Sequence, residues 1–205
     1  MKVLLGITGA SGALYGVRTG AALLSRGTEL SVVVTSTGWD ILAAEVGDGK
    51  LPASLAARQR WLGKSMEARR PARLWADDDF RIPFASGSNP PDAVVVAPCS
   101  MGTLGRIAHG TASSVLTRCA DVALKEKKPL ILVPRETPLS QIHLENMLTL
   151  ARAGADIIPA CPGFYNRPAT VRELVDFIVS RVLARLGIDS DLHPKWGESK
   201  KERSP

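Results

Sequence analysis

The chain has 205 residues, 45% hydrophobic and 22% charged, with a net charge of +6. That length suits one domain with a substantial core, and no apolar run is long enough to span a bilayer. Three cysteines without a CxxC exclude a disulfide framework and fit a reducing cytoplasm, while scattered Lys and Arg among only four Trp, two Tyr and four Phe argue against nucleic-acid binding.

The first element is "KVLLGIT", a buried strand. Lys2 ahead of "VLLGITGASGA" imitates a signal peptide, but the apolar part is too short and the glycines come too early. A helix from about Gly12 to Arg26 follows and stops at Gly27. "LSVVVTS" is the second strand, with a helix near Trp39 to Val46. Leu55 to Met66 reads as helix and "ARLW" as a short strand, before the Pro/Gly/Ser loop "RIPFASGSNPPD". "AVVVAP" is a strand, and Ser100 to Ala108 and Ser113 to Lys125 are helices. "PLILVP" is a strand, Leu139 to Ala153 a helix, "DIIPA" a strand and Thr170 to Leu186 a long amphipathic helix. The basic tail "KWGESKKERSP" reads as a solvated terminus.

Continuous Val/Ile/Leu strands are buried on both faces, and their alternation with helices gives a parallel, doubly wound α/β sheet. Ligands bind such sheets beyond the carboxyl ends of the strands. After the first strand, Gly6, Gly9 and Gly12 do not make a GxGxxG. After the second come Thr35, Ser36 and Thr37, where a dinucleotide site wants an acid for the ribose. A nicotinamide dinucleotide is therefore disfavoured, while a phosphate or flavin edge suits these hydroxyls. The helix starting near Ser11 offers free N–H groups to an anion; a glycine turn used only for packing is the alternative.

After the fourth strand, Ser100, Gly102 and Thr103 open another helix and a second anion or flavin cradle. Cys99 reads as a small buried thiol. The three histidines, His109, His143 and His193, stand too far apart for a metal site. After the fifth strand, Arg135 and Glu136 are adjacent: Arg clamps phosphate and Glu serves as acid or base, or the two form a charge pair at a helix start. After the sixth, Tyr165 and Arg167 lie in the Pro/Gly-framed "CPGFYNRP".

Taken together, "GASGALYGVR", "PFASGS", "APCSMGTL", "TRCADVALKEKKPLILVPRETPLSQIHLENM", "PGFYNRP" and the late "WGE" resemble the UbiX-type flavin prenyltransferases across nearly the whole chain. The resemblance implies a Rossmann-like, metal-independent flavoprotein of three α/β/α layers. Such enzymes join the dimethylallyl group of dimethylallyl phosphate to N5 and C6 of reduced FMN, and prenylated FMN then serves a UbiD-type decarboxylase. It also implies a cytoplasmic homododecamer with sites at subunit interfaces, and fits ubiquinone biosynthesis and aromatic-acid breakdown alike. Carried over by position, Gly9, Ala10, Ser11, Gly12, Ser36, Ser100, Met101, Gly102, Thr103, Arg118 and Arg135 are expected to bind the flavin. Tyr165, Arg181, Lys125 and Glu136 are expected to hold the prenyl phosphate, with Glu136, Lys125, Ser11 and Trp196 closest to the chemistry. Lys125 also reads as a solvated helix-end charge, and Arg181 as an ordinary helical one. Phe80 departs from the pattern, standing where some relatives have Trp.

Breaking an allylic C–O bond leaves an allyl cation and a phosphate dianion. Arg and Lys stabilise the phosphate, a protonated Glu donates to it, and flavin and aromatic faces stabilise the cation. The expected organisation is one flavin-binding domain over 1–187 and a tail over 188–205 contributing to the active site. Two rivals remain. A flavin-dependent cysteinyl decarboxylase would carry a P-A-M-N type segment where this chain has "PCSMGT". A non-catalytic FMN-binding decarboxylase subunit would not need a second phosphate site.

Overall fold

The computed structural model describes residues 1–193. Trp196 lies outside the described residues. In chain order the elements are β1 (Lys2–Ile7), α1 (Ala13–Ser25), β2 (Glu29–Val34), α2 (Ser36–Glu45), α3 (Leu55–Ser65), β3 (Arg73–Trp75), β4 (Ala93–Cys99), α4 (Met101–Ala108), α5 (Val115–Lys125), β5 (Leu130–Pro134), α6 (Gln141–Arg152), β6 (Asp156–Ile157) and α7 (Val171–Arg185).

The strands pair in parallel in the order β3-β2-β1-β4-β5-β6. The order reverses direction between β1 and β4, so the loops leaving these neighbours diverge and open a crevice at their carboxyl ends. Successive strand residues face opposite ways, which gives two cores. Val3, Leu5 and Ile7 pack with Val17 and Leu23 of α1 and Val179 and Leu183 of α7. Leu4, Val94 and Val96 pack on the other face with Leu104 of α4, Leu116 of α5 and Leu150 of α6. The expected three-layer, Rossmann-like α/β fold is the one found.

Hydroxyl side chains start six of the helices: Thr35, Ser54, Ser100, Ser114, Ser140 and Thr170 each accept a hydrogen bond from a first-turn N–H. The Thr35 cap sets α2 three residues earlier than expected and places Ser36 inside its first turn. β6 is shorter than "DIIPA" because Pro159 lacks an N–H for the ladder. Its flanks still pair, with Ile158 N–H donating to Leu132 O at 2.8 Å and Ala160 N–H to Pro134 O at 2.9 Å.

Candidate active site

Thr8 joins the ends of β1 and β4. Its buried hydroxyl donates to Pro98 O at 2.8 Å and accepts from Ser100 N–H at 2.7 Å. Two of the expected flavin segments, Gly9–Gly12 and Ser100–Thr103, are thereby held side by side at the switch point. A Cβ at Gly9 would collide with the Thr37 side chain, so glycine lets the "GASG" backbone lie against the start of α2. Gly12 has φ +106°, a left-handed conformation that favours glycine. These features suit a flavin lying close to the backbone.

One expectation needs correction. The N–H groups at the start of α1 are not free. Gly12 N–H and Ala13 N–H donate to Glu45 Oε2 at 2.9 and 2.7 Å. Gly12 has no side chain to cap the helix, and the positive end of the helix dipole draws in a carboxylate. Glu45 is the last residue of α2, 32 positions from Ala13 in sequence, so no local spacing could reveal it. It caps α1 beside the glycine loop, a contact that sequence reasoning missed.

Across the crevice, Arg135 Nε donates to Ser11 O at 2.9 Å, tying the end of β5 to the glycine loop. Glu136 is exposed and turns away from its neighbour, Oε1 accepting from Thr137 N–H at 3.1 Å. Among the described residues no ion pair joins Arg135 to Glu136. α6 begins five residues later at Gln141, so the reading as a charge pair at a helix start lacks its pair. Tyr15 packs its ring over Gly12. Burial first, then the neighbouring Cys161, raise the pKa of Tyr15, against a smaller pull from Arg135. Ser11, Tyr15, Arg135, Glu136 and Cys161 thus share the carboxyl edge, where a cavity of about 100 Å³ lies between Glu136, Leu139, Met147 and Cys161.

The second cradle is built mostly from caps. Ser100 Oγ accepts from Thr103 N–H at 3.3 Å and donates to Thr103 Oγ1 at 3.1 Å. Met101 is buried in the core, which leaves its backbone to the crevice, while Gly102 is exposed. Cys99 is fully buried and its thiol pushed up to about 12, as expected of a packing residue.

Tyr165 and Arg181 meet through Phe177 of α7. Tyr165 stands edge-on to Phe177 with centroids 6.0 Å apart, and the Arg181 guanidinium lies 5.2 Å from the Phe177 centroid. His193 packs 4.7 Å from the same ring. The i, i+4 spacing of Phe177 and Arg181 was the available signal for this cluster.

The structure does not bring Arg118 and Lys125 to this edge. Arg118 Nε donates to Ala85 O at 3.0 Å and Nη1 to Asp121 at 2.8 Å. Lys125 closes α5 beside Gly87 and pairs with Glu126, near where β4 and β5 begin. A larger cleft of about 460 Å³ also opens at the amino edge, lined by Lys2, Ser31, Arg70, Arg73 and Trp75. Size alone would favour it, but the strand-end loops, the glycine backbone and Arg135 converge on the carboxyl edge, where sheets of this topology bind ligands. Among the described residues no three His, Cys, Asp or Glu side chains gather as a metal site, and no helix is long and apolar enough to cross a membrane.

Residues 1–183 match the family described as Flavoprotein. The flavin prenyltransferase UbiX of Pseudomonas aeruginosa is 46% identical over 198 residues, covering 96% of this chain and 94% of its own. The crystal structure of a UbiX protein in complex with FMN and dimethylallyl pyrophosphate superposes with a TM-score of 0.84 at 33% identity, covering 97% of this chain and 98% of that one. A dodecameric FMN-dependent UbiX-like decarboxylase from Escherichia coli O157:H7 superposes equally, with a TM-score of 0.84 at 38% identity and coverage of 97% and 100%.

Proposed function

The chain belongs to the flavoprotein family, among its UbiX-type flavin prenyltransferases, and on that premise we propose that it transfers the dimethylallyl group of dimethylallyl phosphate to reduced FMN. The observation that carries this reading is the Arg135–Ser11 hydrogen bond, which puts a cation against the glycine loop that fits a flavin, with Glu136 next to it in sequence on the same carboxyl edge. Reduced FMN supplies the nucleophilic N5 and C6. Ser11, Gly12, Ser36 and the first turn of α4 hold it in the crevice. Arg135 and Arg181 stabilise the phosphate as its charge grows, and Glu136 gives a proton to the departing phosphate oxygen. Tyr165, braced on Phe177, orients that phosphate.

Arg118 and Lys125 take part from a neighbouring copy. They stand seven residues apart on α5, two turns along one face, with Asp121 between them. The helix runs back to the amino edge, so Lys125 serves a carboxyl-edge site only when another protomer presents it. This supports a homo-oligomer, a dodecamer as in the Escherichia coli relative. Residues 1–187 form the flavin-binding domain, and most of the 188–205 tail lies outside the described residues. The prenylated FMN goes to a UbiD-type decarboxylase in the cytoplasm.

Mass spectrometry of the flavin after anaerobic incubation with reduced FMN and dimethylallyl phosphate tests the reading. A flavin heavier by one dimethylallyl-derived group is expected. Unmodified flavin with intact FMN binding would overturn it and leave the two rivals, the non-catalytic FMN-binding subunit and the flavin-dependent cysteinyl decarboxylase.

A further inference from the structure

Arg106 is outside the residues named by sequence or resemblance. It stands on α4 four positions after Gly102, on the same helix face. Side chains on a helix lean toward its amino end, and Gly102 has none to block the way. The Arg106 guanidinium therefore lies back over the first turn. Its Nη2 donates to Thr103 Oγ1 at 3.3 Å, and a Cβ added at Gly102 would lie 3.9 Å from Nη1 and meet nothing else.

By sequence Arg106 belongs to the last turn, where the helix dipole favours a cation. Its charge is instead brought to the positive end. Among the described residues no carboxylate lies within ion-pair distance of it. Asp77 is near enough to feel its charge, but Asp77 Oδ1 is engaged by Leu116 N–H at 2.9 Å. Two positive features therefore converge on the exposed face of Gly102, beside the crevice, and an anion there satisfies both.

We propose that Arg106 binds the negative charge of FMN, either its phosphate or the anionic N1 side of the reduced ring. The proposal rests on the FMN reading above. Equilibrium dialysis of the full-length apoprotein tests it, with oxidised FMN, oxidised riboflavin and anaerobically reduced FMN. Oxidised riboflavin is the uncharged control. Arg106→Ala should lose roughly 10- to 100-fold in affinity for one or both anionic forms and none for riboflavin, and Arg106→Lys should recover part of the loss. A loss already present with oxidised FMN assigns the phosphate, and a loss confined to reduced FMN assigns the ring. Unchanged affinities, or an equal fall that includes riboflavin, would overturn the proposal. Parent protein that binds no flavin would overturn the FMN reading itself.

Discussion

Glu136 is exposed, and its carboxylate accepts from the N–H of the next residue, Thr137, at 3.1 Å. A carboxylate so placed contributes little to the fold, so its replacement reads out chemistry. Glu136→Gln should keep FMN affinity and slow single-turnover prenyl transfer on the order of a hundredfold or more, the scale of general acid–base help. Parent-like transfer would remove Glu136 from the mechanism. The two buried thiols make a different prediction. Burial pushes Cys99 and Cys119 each up to about 12, against about 8.5 for an ordinary thiol. Between those values the folded chain keeps protons that the unfolded chain releases, so rising pH favours unfolding. The thiol contribution is full below the ordinary value and falls by up to about 1.4 kcal/mol per pH unit per thiol above it. Urea midpoints should therefore drop from pH 8 to pH 10 in the parent, and drop less in Cys119→Ala. Equal drops would show that the thiol does not titrate on unfolding.

Among elements, α1 and α7 share an apolar core and a buried ion pair. Arg18 reaches both oxygens of Asp176 at 2.8 and 2.9 Å, with side chains 12% and 10% exposed. α1 follows the glycine loop and α7 carries Phe177 and Arg181, so the pair fixes the Tyr165–Phe177–Arg181 cluster relative to the crevice at the carboxyl edge. Asp176→Ala strands a buried guanidinium and should cost about 3–5 kcal/mol in urea unfolding. Arg18→Met with Asp176→Leu should recover most of it, since an apolar pair of similar volume avoids the unpaired charge. If the double variant were as unstable as the single one, packing rather than charge would set the cost. At this scale most of the molecule was legible. The strands declare themselves because parallel strands buried on both faces need continuous apolar runs, and serine and threonine caps mark the helix starts. The strand-end loops "GASG", "PRE" and "FYN" were legible as candidate site segments for the same topological reason. Glu45 was not, because its carboxylate reaches α1 only through the packing of α2 against the crossover. The Arg18–Asp176 pair, 158 positions apart, was hidden likewise.

At the scale of the whole molecule, the residues proposed to serve the prenyl phosphate do not fit on one protomer. Ser11, Arg135 and Glu136 lie beyond the carboxyl ends of β1 and β5, and Lys125 lies at the end of α5 near the strands' amino ends. β5 has five residues, and at roughly 3.3 Å per residue the two edges are separated by more than a lysine side chain can span. This much could have been read from the sequence, since a crossover helix runs back toward the start of the next strand. It agrees with the sites at subunit interfaces that the family resemblance implies. Arg118 shares the exposed face of α5 with Lys125, so one neighbouring copy can deliver both. Lys125→Ala and Glu136→Gln then damage opposite sides of the same shared site. Each variant alone should be nearly inactive in prenyl transfer while remaining assembled. Co-expressed in equal amounts and randomly mixed, they should form sites in which one protomer supplies Glu136 and its neighbour supplies Lys125. About a quarter of the sites would be intact, as follows for a heterologous contact in a closed assembly. Recovery of transfer activity in the co-purified hybrid, with none on mixing the separately assembled variants, is the expected result. A hybrid as inactive as its parents would show that Lys125 and Glu136 do not meet in a shared site and would return the α5 face to solvent.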